Sequence, residues 1–420
     1  MTRLRLRRAG SYPAGDPTSN RTPRSLFRPL ALAAALLAGG AHAQEAPPAI
    51  SVYGYVRAET ILDSRQVADV REGHFLLYPL PDSDANEEPN LLFTAIQTRI
   101  GVRAGGAEAL GAAASANIEA DFFGATNSGI SEFRLRNAFL KLDWGTHEVL
   151  AGQYWSPLFT VPVYPGTVSF NTGAPFQPFA RQPQLRLVLK PGNLRVVGVL
   201  GGQRDAFAEI GGPKLQQQSA LPVAHLHVRY EGAGAVFGVG GYAKAVRPLL
   251  TEDRFYTGAV QAYGKLIQPT FYVAAKATYG GDLTDHLMTG GFVATPDGDG
   301  LGYEPLNVAA GWVDLGTSGR PLTFGLFGGL LTNLGASDDF AVATDTGGGA
   351  VLAAVRAPTL EVLWRAAPRV TYASGPARVA AEVEVTSSAW APTVDASYAP
   401  AGDADNATNV RGLLAFYYLF

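Results

Sequence analysis

Arginine recurs in the first half of the chain at spacings that place it on one side of an extended strand: Arg99 and Arg103, Arg134 and Arg136, Arg186, then Arg229 after His225 and His227. Residues two or four apart in a strand share a face. Guanidinium groups lining a narrow passage select anions, because each offers a fixed charge and a fork of donors matched to carboxylate or phosphate. No Asp or Glu occurs between Glu148 and Asp205, whereas Arg181, Arg186, Lys190, Arg195 and Arg204 all lie there. The expectation is a basic eyelet favouring small anions, with Arg99, Arg103, Arg134, Arg136, Arg181, Arg186 and Arg229 as its lining residues. Carboxylates at Glu59, Glu119 and Asp121 offer a second account. If 111–123 and 133–143 are antiparallel neighbours, Glu119 and Asp121 lie beside Arg134 and Arg136, and these four are equally a wall salt-bridge cluster. Arg99, Arg103 and Arg186 have no evident acidic neighbour, although a one-residue register slip would swap their faces.

Other chemistries find less support. The chain has no Cys, which removes thiol catalysis, disulfide scaffolds and zinc ribbons. No Gly-x-Ser-x-Gly motif or Gly-rich phosphate loop occurs, and the few His residues accompany no recognisable nucleophile, so an enzyme is not expected. His225-x-His227 offers two imidazoles without a third ligand. Asp297, Asp299 and Glu304 are hard oxygen donors of the kind calcium takes, but they lack EF-hand spacing and read better as a solvated acidic loop. Neither a cofactor nor a basic nucleic-acid surface is indicated.

The elements that must position these residues are strands. Only 16% of the residues are charged, against about 25% in an average soluble domain. No apolar run reaches the roughly 20 residues of a spanning helix. Apolar periodicity is two almost throughout, broken by Gly, Pro, Asn and Asp clusters. The pattern predicts sixteen strands, at 50–61, 93–104, 111–123, 133–143, 147–155, 182–190, 194–201, 222–231, 235–245, 254–267, 270–280, 306–315, 321–331, 359–372, 377–387 and 409–420. Their connections alternate between short and long, the long ones including 62–92, 156–181, 202–221, 281–305, 332–358 and 388–408. That alternation describes an all-β, antiparallel up-and-down transmembrane barrel in a bacterial outer membrane, with the short turns periplasmic. The strands alternate accordingly: Ala224, Leu226, Val228 and Tyr230 against His225, His227, Arg229 and Glu231. Arg134 and Arg136 share parity with Leu140 and Leu142, so either this strand bulges or its upper part stands clear of lipid.

Both ends read as export and assembly signals. An Arg-rich stretch, the apolar block 30–38 and Ala41-His42-Ala43 form a secretory signal peptide over residues 1–43, long enough at its start to suggest a later initiation codon. Its removal takes seven Arg and one Asp from totals of 33 basic and 36 acidic residues, leaving 26 and 35, a net charge of −9 over the barrel domain 44–420. At the other end Leu414, Phe416, Tyr418 and Phe420 share one strand face. Phe416, Tyr418 and Phe420 fit both an aromatic girdle and the terminal signature read by barrel-assembly machinery.

The segments TRIGVRAGGAEALGAAASANIEADFF (98–123) and FRLRNAFLKLDWGTHEVLAGQYWSPL (133–158) resemble the second to fifth strands of Gram-negative porins, nearest the DcaP-like branch. The resemblance is specific over about 93–160 and again at the C-terminus. It implies a homotrimer of sixteen-stranded barrels, passive diffusion of small hydrophilic solutes and a preference for anionic carboxylates. A heptad segment of the DcaP kind is absent before Ile50, and the loop at 124–132 is short for a trimer latch. By position, the Pro- and aromatic-rich connection 156–181 corresponds to the porin loop that folds inward and constricts the pore, here without the usual carboxylates. Acidic residues in the long loops, such as Asp82, Asp84, Glu87 and Glu88, suit divalent bridges to lipopolysaccharide. The alternative function is an occluded barrel acting as a surface-binding or structural protein.

Overall fold

The structure is a computed structural model that describes residues 48–124, 128–202, 212–298, 300–343 and 353–420. The signal peptide expected at 1–43 and Asp299 lie outside the described residues.

Sixteen antiparallel strands form the wall: β1 (Ala49–Asp63), β2 in two pieces (Asn90–Thr94 and Arg99–Ala109), β3 (Ala112–Asp121), β4 (Arg134–Asp143), β5 (His147–Trp155), β6 (Arg181–Leu189), β7 (Leu194–Gly201), β8 (Val223–Glu231), β9 (Ala235–Val246), β10 (Phe255–Ile267), β11 (Phe271–Gly281), β12 (Gly300–Thr317), β13 (Leu322–Gly335), β14 (Leu360–Ser374), β15 (Ala377–Trp390) and β16 (Asp405–Leu419). β16 pairs with β1 from Tyr55↔Leu419 to Asp63↔Arg411, so the sheet closes on itself and the wall has no free edge. Gly54 and Phe420 exchange backbone hydrogen bonds of 2.9 and 3.1 Å at that seam. Beyond the wall on the long-loop side, β12 continues into a small sheet with Gly290–Asp297, which pairs in turn with Ala353–Arg356.

Period-two patterning produces the two faces. Val52, Val56, Leu226, Val239, Val260, Leu330, Val383 and Val410 point outward and are exposed, as a lipid-facing wall requires. Their alternates are polar and buried, among them Arg57, Glu59, Asp63, Gln261, Lys276, Asp314, Arg365, Glu382, Glu384 and Arg411. On β16, Leu414, Phe416, Tyr418 and Phe420 face out, while Leu413 and Ala415 face in.

The parity conflict on β4 is resolved by a bulge. Glu119 pairs with Asn137 and the next residue, Ala120, with Leu135, so Arg136 is the extra residue. Arg134 and Arg136 therefore point inward, and Leu140 still reaches the outer face, where it is exposed.

Two connections fill part of the interior. The hairpin Val67–Val70/Phe75–Pro79 is buried along Phe75, Leu76, Leu77 and Tyr78. Residues 156–180 start with a short 3-10 turn, Pro157–Phe159, capped by Ser156, and bury Leu158, Phe159, Phe170, Phe176 and Phe179. The two pack together through Phe75, whose ring lies 5.4 Å from Phe170 and 5.1 Å from Phe179 edge-on.

Candidate functional site: the barrel lumen

The 156–180 segment leaves β5 and re-enters at β6, yet its polar contacts are with β1 and β10–β15, so it spans the interior. Lys276 on β11 donates to the Leu158 carbonyl at 2.7 Å, and Gln261 on β10 donates to Thr160 Oγ1 at 2.8 Å. Asp314 on β12 accepts the Gly166 N–H at 2.9 Å while holding Arg369 and the Tyr272 hydroxyl. Glu382 on β15 accepts the N–H groups of Val168 and Ser169, both at 2.8 Å, and Glu384 accepts from Asn171 at 2.8 Å. Arg57 on β1 donates to the Val168 carbonyl at 2.7 Å, and Arg365 on β14 to that of Ala174 at 3.0 Å. Phe176 lies flat over Gly329 on β13, where a Cβ would stand 2.5 Å from its ring. The segment carries no carboxylate; the facing wall supplies them, and they bind its backbone.

A second latch joins the segment to the β11–β12 connection. Ser156 Oγ lies 3.3 Å from His286 Nε2, His286 Nδ1 lies 3.0 Å from Asp285, and the Phe179 N–H donates to the His286 carbonyl at 2.8 Å. The order Ser–His–Asp is that of a hydrolase triad, but Ser156 is buried and already accepts from the Leu158 N–H of its own turn. Burial acts to raise the Asp285 carboxyl; the ammonium of Lys244 at 3.1 Å and His286 outweigh it and hold the group below the ordinary carboxylate range.

The residues singled out from sequence all come from lumen-facing positions of neighbouring strands, but their charges are engaged unequally. Arg134 grips Asp121 with two bonds of 2.9 and 2.7 Å, and Arg136 bridges Glu119 at 2.8 Å and Asp121 at 2.7 Å. These four are a wall cluster, the second of the two accounts. Arg99, expected to lack an acidic neighbour, has Glu119 at 3.8 Å, because β2 lies on the other side of β3. Arg229 pairs with Glu231 at 2.6 Å. Arg181 is buried against the rings of Trp155 and Phe179. Arg103 and Arg186 have no carboxylate within 4.0 Å among the described residues; Arg103 lies over Tyr53 at 4.0 Å and Arg186 over Tyr154 at 4.9 Å.

A cavity of about 630 Å³ opens on the lumen side of β1–β5. Arg57, Arg99, Arg103, Arg136, Lys141 and Arg378 line it, with Glu119 as the one carboxylate among the lining residues. Arg57, Lys141 and Arg378 were missed from sequence. Arg57 shares parity with Glu59, which marks its facing, whereas Arg378 enters only because closure brings β15 beside β16 and β1. His225 and His227 are buried in this wall, and among the described residues no group of three or more potential ligands suits a metal. Asp297 and Glu304 belong to the small outer sheet.

The comparisons with known proteins now bear on this barrel. Residues 30–181 match the family described as Gram-negative porin. The match takes in the first five strands and the segment that crosses the lumen. The outer membrane channel DcaP of Acinetobacter baumannii has a similar fold, with a TM-score of 0.67 at 18% identity over 90% of this chain and 98% of that one. An anion-selective porin from Comamonas acidovorans superposes with a TM-score of 0.55 at 9% identity, covering 89% of this chain and 100% of that one. OmpT of Vibrio cholerae gives 0.53 at 13% identity over 90% of this chain and 99% of that one. No curated protein matches the sequence. The chain thus shares the closed antiparallel barrel fold of outer-membrane proteins such as DcaP.

Proposed function

We propose that this chain is an outer-membrane porin that passes small hydrophilic solutes by passive diffusion and favours small anions such as carboxylates. The observation that carries the reading is the charge of the lumen cavity, six cationic side chains to one carboxylate, with Arg103 and Arg378 facing it unpaired among the described residues. Fixed cations in a confined passage with low-dielectric walls concentrate anions and exclude cations. The segment 156–181 acts as the constriction loop. Its missing acidic half leaves that preference unopposed, since Asp314 and Glu382 are bound to its backbone, Asp314 also to Arg369, and Glu384 to the Asn171 side chain. Among the lining residues, Arg103 and Arg186 act most directly, Arg99, Arg181 and Arg229 add to the field, and Arg134 and Arg136 are largely neutralised. An anion-selective relative in fold and a trimer form of Vibrio cholerae OmpT support the anion preference and a homotrimer.

The test is planar-bilayer conductance of the refolded protein with a reversal potential in a KCl gradient. Steps in threes with a chloride-favouring potential are expected, and Arg103→Glu with Arg378→Glu reverses the preference. A potassium preference in the unaltered protein would sink the anion reading. The aromatic packing of Phe75, Phe123, Phe170 and Phe179 inside the lumen favours a second reading, an occluded surface-binding barrel, for which a folded protein giving no steps is the signature. The Phe416, Tyr418 and Phe420 terminus acts as the assembly signal: removal of Phe420 is expected to lower the yield of heat-modifiable barrel in the outer membrane.

A further inference from the structure

A smaller cavity, of about 210 Å³, lies beneath the root of the loop, between its turn Ser156–Pro162 and the wall of β4–β8 and β10. Arg186 forms one side. Its Nε donates to Gln184 at 3.0 Å and its Nη2 to the Trp155 carbonyl at 2.6 Å, which fixes the guanidinium and leaves Nη1 without a hydrogen bond among the described residues. His227 stands close by, buried, and its Nε2 has no hydrogen-bond partner among the described residues. The imidazole lies across β9 because residue 240 is Gly; a Cβ there would be 2.0 Å from Nδ1. Tyr154, Tyr263 and Arg229 also line the space. Its one carboxylate, Glu148, is bound by Lys190 at 2.9 Å and approached by Lys141 at 3.9 Å.

A buried polar atom such as His227 Nε2 is costly without a partner unless something meets it, and the half-buried Arg186 guanidinium beside it offers a charge with no carboxylate within 4.0 Å among the described residues. The volume equals roughly seven waters at about 30 Å³ each, which suits a compact anion with a few waters and excludes an oligosaccharide. We propose that this cavity is a docking site for a small oxyanion, held by the Arg186 fork and His227 as it passes the loop root. The proposal rests on the channel reading above and adds to it a saturable site at the loop root.

The probes are inorganic phosphate and, separately, acetate, added to the full chain in planar bilayers at fixed KCl. The chloride current should fall saturably with phosphate. Arg186→Gln should raise the half-saturating concentration by about tenfold, the loss of a charge-assisted hydrogen bond. Arg186→Lys, which keeps the charge and loses the fork, should fall between, and His227→Gln should weaken binding with the barrel intact by heat-modifiable mobility. Arg320→Gln, in the short turn between β12 and β13, should change nothing. Saturation by acetate as well would define the ligand as a carboxylate or phosphate alike; saturation by phosphate alone would restrict it to tetrahedral oxyanions. A strictly linear dependence on both probes, or saturation unchanged in both Arg186 variants, overturns the site. Chloride selectivity without saturation removes the site and keeps the anion channel, whereas Arg186-dependent saturation in a potassium-selective channel keeps the site and removes the anion preference.

Discussion

On the wall from β10 to β15, charged side chains point at a loop backbone; on the wall from β2 to β6, several point at open space. Lys276, Asp314, Arg365, Glu382 and Glu384 are all buried, and each meets a carbonyl, an N–H or a side chain of the 156–180 segment or the opposite charge of a neighbour. Arg103 and Arg186 have no such counter-charge. The same residue types thus do two jobs, and the difference is whether an oppositely charged or polar partner lies within bonding distance. Charge in a pore becomes selectivity only where the fold leaves it unanswered.

The most disruptive way to break this contrast is to cut the anchoring wall. Glu382→Ala leaves the buried N–H groups of Val168 and Ser169 without their acceptor, about 2–6 kcal/mol of local anchoring at about 1–3 each. Larger and noisier single-channel steps are expected; unchanged steps would mean that the loop is held elsewhere. Nearly as large is Asp121→Ala, which removes the carboxylate Arg134 grips and one of the two that Arg136 bridges, at a cost of about 3–5 kcal/mol. The unfolding temperature should drop while the KCl reversal potential moves little, and the opposite pattern would return those two arginines to the selectivity set.

Arg103→Gln sharpens the other side. A charge about 10 Å from a passing ion in a water-like dielectric attracts chloride and repels potassium by about 0.4 kcal/mol each, so the chloride-to-potassium permeability ratio should fall about fourfold with no loss of stability. The smallest effect belongs to the Asp285 latch. A carboxyl depressed in the folded state adds stability that is fully present above its unfolded value of about pH 4 and is lost as pH falls toward the native one. Asp285→Asn should therefore be slightly less stable than the unaltered protein at pH 7, where Lys244 keeps Asp282 at 2.9 Å, and the gap should close only in strong acid. A gap that is constant with pH would show that the latch does not depend on the charge.

The strands, their number and the in–out facing of Arg57, Arg99, Glu119 and Arg186 were legible in the sequence, because a lipid exterior and a polar lumen impose period two on every crossing. So were the salt-bridge alternative for Glu119, Asp121, Arg134 and Arg136 and the lack of acids in the 156–181 connection. The bulge at Arg136 was legible only as a conflict of parity, since which residue is extra depends on the register that β3 imposes. What the tertiary structure alone decided is pairing across the lumen: that Glu382 answers a backbone more than 200 residues earlier, that Arg99 finds Glu119, that Arg378 joins the cavity through closure, and that the 67–79 hairpin packs on the loop through Phe75. Periodicity reports each strand's own two faces; barrel curvature and closure determine which inward residues meet.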